Sequence, residues 1–355
     1  MAGLILRQAV EVDHLAIEEL FRATSMGSRI RIGFERDPDY FAGAQVQASE
    51  PSVWGAFEDG GRAVGILSAG SRRVWLDGER PMRYLSDLRI HPDWQGSSLL
   101  ARGFRLLRRE VFQPGEWAQT LVLEDNLGAL DLLTSRRGCL PEYRPAGRYV
   151  SWLLPSQRVD VKSNVKVRPA TAADLGEMQT LLDSESRRRS FSQILNLTDL
   201  GQASWRDFVL SDFLVAEKHG ALVGILGLWD QSGFQRLRVK GYSPTLTMLR
   251  PLWNAWSRLQ GGVPLPRAGD PVPLRKATAI ACHNNDPSIL RALLAAALTE
   301  NEDRTLLLGL SAEDPLTAAL HGLAARKEYG RHFLVGWDGN PPVWAEPFAF
   351  DAARI

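Results

Sequence analysis

Gln95-Gly96-Ser97-Ser98 links two segments of different periodicity. Before it, Arg83–His91 alternates as a half-exposed strand does; after it, Leu99, Leu100, Gly103, Phe104, Leu107 and Val111 form one apolar stripe at helical spacing. A strand that turns through small residues into a helix presents several unpaired N–H groups at the positive end of the helix dipole. Such a place holds a phosphate or pyrophosphate. Gly96 permits close backbone approach, and Ser97 and Ser98 are small donors. The same residues also suit an ordinary helix start capped by Ser97 or Ser98.

The elements that position this loop follow from the pattern upstream and downstream. Leu4–Val10 reads as a strand, and Asp13 caps a helix carrying Leu15, Leu20 and Phe21. Arg22–Phe34 is polar and irregular, and a helix follows Pro38. Val53–Glu58 and Ala63–Arg72 form a hairpin about Asp59-Gly60-Gly61. Beyond the loop, strand Thr120–Leu123 leads through Asp125-Asn126 to a helix at Ala129–Arg136, and strand Tyr149–Leu154 closes the unit. The order is β-α-α-β-β-β-α-β-α-β.

That order is then echoed. Val-Gly-Ile-Leu occurs at Val64–Leu67 and again at Val223–Leu226. Arg7, Ala9, Asp13 and Leu20 match Arg168, Ala170, Asp174 and Leu181 at constant offset, and Thr120–Leu123 is answered by Thr305–Leu308. The repeat predicts two domains, 1–155 and 165–340, joined by a polar linker over 156–164.

Composition narrows the function classes. Hydrophobic residues at 45% and charged residues at 23% describe a globular chain, and a net charge of +1 offers no global field for nucleic acid or an anionic membrane. The two cysteines, Cys139 and Cys282, argue against a disulfide framework, and no Cys/His cluster has zinc spacing, so no metal is expected. Arg7 interrupts the N-terminal apolar run too early for a signal peptide, and no apolar run is long enough to span a bilayer. A cytoplasmic protein is the expectation.

The run Arg89-Ile90-His91-Pro92-Asp93-Trp94-Gln95-Gly96-Ser97-Ser98-Leu99-Leu100, with Asn126–Leu133 and Arg137-Gly138-Cys139, resembles the GNAT (Gcn5-related N-acetyltransferase) superfamily across residues 1–154 and more weakly across 165–337. The family loop is Gln/Arg-x-x-Gly-x-Gly/Ala; Gln95 matches, while Ser98 and Leu100 replace its last two small residues. The resemblance implies an α/β chain with a mixed α+β sheet, built as two tandem GNAT-like acyl-CoA N-acyltransferase domains. It implies acetyl-CoA as co-substrate, its pyrophosphate held by the N–H groups of Gln95, Gly96, Ser97, Ser98, Leu99 and Leu100. Leu88 and Ile90 would bond the pantetheine arm, Asn126 would meet the thiol end, and Arg102 would reach the 3′-phosphate, unless it only solvates a helix face with Arg105 and Arg109.

Aminolysis of a thioester takes a proton from nitrogen and usually returns one to sulfur. The resemblance makes Asp87 the first candidate base and His91 a second, acting through water; Asp87 and Arg89 could instead pair with each other. Many relatives place an acidic tyrosine on the helix after the asparagine, but Leu133 and Thr134 stand there, with Tyr143 and Tyr149 only downstream.

In the second half, Ala277–Cys282 leads through His283–Asp286 to a helix at Ile289–Leu298, and a last helix, Pro315–Ala325, precedes strand Phe333–Trp337. Asp286 and Pro287 disfavour an anion there, so this copy is read as having lost the cofactor. The insertion Lys240–Arg275 carries Trp253 and Trp256, expected to pack; it could cover a sheet face, cap the cleft or join a homodimer. The leading expectation is acetyl transfer to a small amine, with a non-catalytic acyl-CoA sensor or scaffold as the alternative. Nucleic-acid binding by Arg102–Arg109 is a third reading, weakened by the lack of interleaved aromatics.

Overall fold

Arg7 and Arg168 each clamp a carboxylate six residues on, and these two clamps open the two halves of the chain. Arg7 bonds both oxygens of Asp13 at 2.7 Å, and Arg168 bonds both oxygens of Asp174 at 2.8 Å. Each aspartate also accepts a backbone N–H three residues upstream, from Val10 or Thr171, which fixes a strand-to-helix turn. The computed structural model describes residues 3–24, 30–135, 137–161, 164–259, 264–299 and 304–355.

The first half runs β1 (Leu4–Gln8), α1 (His14–Ala23), β2 (Ile30–Glu35), α2 (Tyr40–Gln47), β3 (Val53–Glu58), β4 (Ala63–Trp75), β5 (Glu79–Ile90), α3 (Leu99–Glu110), β6 (Ala118–Leu123), α4 (Leu127–Leu133) and β7 (Glu142–Leu154). The second runs β8 (Lys166–Pro169), α5 (Leu175–Ser186), β9 (Ser192–Gln193), β10 (Phe213–Lys218), β11 (Ala221–Trp229), β12 (Arg236–Tyr242), α6 (Pro244–Leu259), β13 (Leu274–Cys282), α7 (Pro287–Thr299), β14 (Thr305–Ser311) and β15 (Arg326–Gly336).

One mixed sheet carries both halves, in the order β1-β3-β4-β5-β6-β15-β7-β14-β13-β11-β10-β8. The last strands are exchanged: β15 lies between β6 and β7, and β7 lies between β15 and β14. Phe333 and Val335 of β15 therefore pack in the core beneath α3 with Phe104, Leu107 and Leu133. On the opposite face α1 buries Ile17, Leu20 and Phe21 against Phe57 and Ile66. A second link is the two-stranded ribbon of β2 and β12, in which Arg238 and Lys240 pair with Glu35.

Ladder register relates the halves position by position. Arg7 faces Gly55, which faces Ile66; Arg168 faces Val215, which faces Ile225. Gly65 faces Ile90 and Gly224 faces Cys282, each inside one Val-Gly-Ile-Leu run. The threonine match fails this test: Arg83 faces Ala118 where Arg275 faces Leu306, so Thr120 corresponds to Leu308 and not to Thr305.

Other expectations are also corrected. The irregular stretch Arg22–Phe34 ends in β2, whose partner β12 lies some 200 residues away and left no local signal; residues 25–29 and Arg136 lie outside the described residues. The expected helix Pro315–Ala325 is a short 3-10 turn over Pro315–Leu320. Trp253 and Trp256 touch each other, with ring centroids 5.3 Å apart, but both are exposed, as are Met248, Leu249 and Leu252. α6 turns its polar Arg250 and Asn254 inward, where both bond the backbone of Leu265.

Candidate active site

β5 and β6 run parallel but share only two register pairs, Arg83 with Ala118 and Tyr84 with Gln119. Beyond these they part, after Thr120 Oγ1 donates to the Leu85 carbonyl at 2.9 Å. The edge of β5 from Asp87 to Ile90, which carries Leu88 and Ile90, thus faces a crevice instead of a strand. Within this edge the β4–β5 ladder slips: Ile66 faces Arg89 and Ser68 faces Ser86, so Asp87 and Leu88 together oppose Leu67. Asp87 makes this bulge in the left-handed region, at φ 57°. A bulge re-aims side chains, and a non-glycine residue held at positive φ costs of order 1–3 kcal/mol, the kind of strain found at functional sites.

The carboxylate of Asp87 does not take Arg89 as its partner. Arg36 Nη2 lies 2.8 Å from Oδ2, and Tyr40 Oη donates to the same oxygen at 2.8 Å. The Arg36 contact is an ion pair outside hydrogen-bond geometry, leaving all three guanidinium nitrogens buried without an acceptor. Burial, and then the adjacent Asp87 charge, push the Tyr40 phenol well above its ordinary range, so it remains a donor. Oδ1 of Asp87 has no hydrogen bond from the described residues, and 11% of the side chain stays exposed. Arg89 instead donates to the Thr24 carbonyl at 2.6 Å and lies over the Phe21 ring. Arg36 and Tyr40 carried no motif; only the tertiary fold reveals them.

The loop is fixed from the side. Trp94 Nε1 donates to Glu58 Oε1 at 3.0 Å, and Arg62 spans Glu58, His91 and Asp93. His91 is consumed here: Nδ1 accepts the Asp93 N–H and both ring nitrogens contact Arg62, so the ring caps the Pro92–Trp94 turn. The structure does not bring it to Asp87.

Of the six amides expected to hold a pyrophosphate, three are already paired. Gln95 N–H bonds the Pro92 carbonyl, Ser97 N–H the Trp94 carbonyl, and Leu99 N–H the Ser97 hydroxyl. The amides of Gly96, Ser98 and Leu100 have no acceptor among the described residues, and neither does that of Ala101. Gly96 holds φ 76° with open space beside it. Ser97, not Ser98, supplies the side-chain cap. Leu100 is half-buried against the Phe104 and Leu107 cluster and lines an apolar groove of about 450 Å³ with Leu88 and Ile90. The four free amides, the open β5 edge and Gly96 fit a CoA diphosphate and its arm.

Two more candidates already hold partners within the chain. Arg102 donates to the Leu4 carbonyl at 3.3 Å; β1 lies at the far edge of the sheet from the β5–β6 crevice, so Arg102 points away from it. Asn126 caps α4, its Oδ1 accepting the Ala129 N–H at 3.2 Å. Neither downstream tyrosine is placed as an acid: Tyr143 packs between Phe104 and Phe333, with its phenol raised by burial, and Tyr149 is buried beside Phe350. Among the described residues no cluster of His, Cys, Asp or Glu could hold a metal, and no helix is long and apolar enough to cross a membrane.

The second half repeats the diverging strands and the bulge with different side chains. β13 and β14 pair at Leu274–Lys276 and then diverge, and Ala279, at φ 47°, makes the bulge where the first half has Asp87. At α7, Asp286 Oδ1 accepts the Ser288 N–H, its carbonyl accepts the Ile289 N–H, and Pro287 has no N–H to offer. Asp351 and Ala352 lie against this crevice, with Thr278 Oγ1 bonded to Asp351 at 2.5 Å.

No protein-family model and no curated protein matches the sequence. Solved structures are similar in fold. A GCN5-related glucosamine N-acetyltransferase region of a fungal multi-domain β-N-acetylglucosaminidase superposes with TM-score 0.60 at 12% identity, over 94% of this chain and 38% of that one. The chain thus spans well under half the length of that protein. A GCN5-related N-acetyltransferase from Sphaerobacter thermophilus gives TM-score 0.55 at 13% identity, over 95% and 97% of the two chains. Saccharomyces cerevisiae N-myristoyltransferase with bound myristoyl-CoA gives 0.60 at 10% identity, over 96% and 80%.

Proposed function

We propose that this chain, which has the mixed α/β fold of the GCN5-related N-acetyltransferases, moves an acetyl group from acetyl-CoA to the amine of a small acceptor. The observation that carries this reading is the row of unpaired amides at Gly96, Ser98, Leu100 and Ala101 beside a strand edge that opens at a strained carboxylate, Asp87. When bound, CoA supplies the thioester; the chain orients it and handles the proton. The acceptor nitrogen attacks the carbonyl carbon, the C–N bond forms and the C–S bond breaks. The proton leaving nitrogen passes to Asp87 Oδ1, directly or through one water. Sulfur departs with its electron pair and takes a proton from solvent, a tolerable step for a thiol of ordinary pKa near 8.5.

On this reading residues 1–155 bind the cofactor and 165–340 are a tandem copy that has lost it, with Asp286 and Pro287 closing its helix start. The free thiols of Cys139 and Cys282 suit a reducing cytoplasm. A second reading, an acyl-CoA sensor without turnover, is favoured by the grip of Arg36 and Tyr40 on Asp87 and by the missing acid on α4. Calorimetry with acetyl-CoA, followed by assay of free CoA against a panel of small amines, separates them. Binding with CoA release is expected. Binding without release under every amine supports the sensor, and absence of binding removes both readings.

A further inference from the structure

Phe34, on the ribbon that joins the halves, is flanked by two buried cations that lack hydrogen bonds. Arg36 Cζ lies 5.5 Å from its ring centroid and Lys276 Nζ lies 6.0 Å from it. Arg36 is 2% exposed and Lys276 7% exposed. Lys276 has no hydrogen bond or ion pair among the described residues, and Arg36 has only its off-axis contact with Asp87.

The groups around them do not balance this charge. Arg72 and Arg354 are also buried, but they are served by carbonyls: Arg72 donates to Gln47 and Arg354, and Arg354 donates to Val46 and Ser204. Among the described residues, Asp87 is the carboxylate beside Arg36, and Asp351 is the one beside Arg72, Lys276 and Arg354. Asp351 is already bonded to Thr278 and to the Ala353 N–H, with Arg354 Nε at 3.6 Å. A shallow cleft lies against Arg36, lined by Phe21, Phe34 and Tyr40. Its two carboxylates are engaged elsewhere, Glu18 by Arg22 and Glu35 by Arg238 and Lys240. Burying an unpaired charge is costly, so such a group either gives up its proton or awaits a counter-ion. Burial, and then the nearby Arg36 charge, bring the Lys276 amine down to about 7.

Resting on the transferase reading, we propose that the acceptor is an amine bearing an anionic group, carboxylate or phosphate, which Arg36 and Lys276 receive while its nitrogen lies at Asp87. The cation from the second half would then complete the site of the first, which gives the otherwise silent copy a role. An anion placed there recharges Lys276, so its binding takes up a proton.

The test pairs amines that differ only in that group: glycine with glycinamide, and O-phosphoethanolamine with ethanolamine. Each is offered with acetyl-CoA; transfer is read by mass spectrometry, and binding by Tm and by calorimetry in two buffers of different ionisation enthalpy. The wild-type chain should use or bind the anionic member about tenfold better or more, with net proton uptake near pH 8. Lys276→Met should erase both the preference and the uptake, leave acetyl-CoA affinity unchanged, and raise the Tm of the free protein. Equal treatment of both members by the wild type, a preference that survives in K276M, or a K276M protein of lower Tm overturns the inference. Failure of wild-type acetyl-CoA binding sinks the transferase reading instead, and the Tm arm still reads the anion site by itself.

Discussion

At the start of α3 the amides of Gly96, Ser98, Leu100 and Ala101 stand unpaired, whereas at the start of α7 the Asp286 side chain and carbonyl take the first two available N–H groups and Pro287 has none. The strand edge before α3 bulges at Asp87, and the edge before α7 bulges at Ala279, at the same register. Both halves therefore retain the costly backbone feature, a positive-φ residue that splits the ladder. The first half pairs its bulge with free amides and with a carboxylate oxygen that no described residue bonds, groups of the kind that hold an anion and take up a proton. Backbone geometry can persist for packing reasons alone, so the difference lies in side chains and free donors.

The largest expected effect comes from trying to separate the halves. β15 pairs along its length with β7 and also with β6, and Phe333, Leu334 and Val335 are fully buried. Losing those three side chains alone forfeits roughly 5–9 kcal/mol of apolar burial, comparable to the whole stability of a domain. A fragment ending near residue 160 should show no cooperative melt by circular dichroism. A fragment that melts cooperatively would mean that each half is self-sufficient and the strand exchange incidental.

Next in size is Asp87→Asn, which keeps a residue tolerant of positive φ but removes the charge. Transfer should fall about 10²–10⁴-fold while acetyl-CoA affinity stays within about threefold. Stability should also fall by about 3 kcal/mol, because Arg36 loses the one counter-charge it has among the described residues. Adding Arg36→Met should restore the Tm without restoring transfer, separating the two roles of Asp87. Transfer at the wild-type rate in D87N would erase the contrast with Ala279.

These same residues mark how far the sequence could be read. Much of the order of strands and helices in the first half was legible because each element is local: alternation over Arg83–His91, a helical stripe over Leu99–Val111, a Gly-Gly turn after Glu58. The Gln95–Leu100 loop was legible as a strand–turn–helix, but which amides stay free was not, since that depends on carbonyls and hydroxyls brought back by the turn itself. Arg36 and Tyr40 were invisible as partners of Asp87 because about 50 residues intervene and neither sits in a motif. The β2–β12 ribbon and the β7/β15 exchange are long-range pairings with no trace in any window of sequence. The partner of Arg102 was not legible either, because its spacing on α3 does not say that β1 supplies a carbonyl to it.

A smaller effect should follow from Ser98→Pro. Ser98 has φ −73°, which proline adopts without strain, and its N–H has no partner to lose within the chain. The Ser98 carbonyl still accepts from Arg102, so α3 should keep its first turn. What disappears is one donor to a charged diphosphate, a loss of about 1.5–3 kcal/mol, or roughly 10–100-fold in the Kd for acetyl-CoA by calorimetry. The change gives α3 a proline at its start, as α7 already has. An unchanged Kd with an unchanged Tm would show that the Ser98 amide is not part of the cradle.

The smallest expected effect is Ala279→Gly, and it isolates what the bulge contributes without a carboxylate. Glycine removes the strain of a side chain at φ 47°, worth about 1–2 kcal/mol, but it surrenders a buried methyl of about 0.8 kcal/mol and loosens the unfolded chain by a similar amount. These terms nearly cancel, so the Tm should shift by no more than the equivalent of about 1 kcal/mol, and transfer and acetyl-CoA affinity should not move. Asp87→Gly, the same substitution at the matching register of the first half, should abolish transfer, because there the strained residue carries the proton acceptor. A marked loss of transfer in A279G would instead mean that the second crevice takes part in the reaction, and the division of labour between the halves would have to be redrawn.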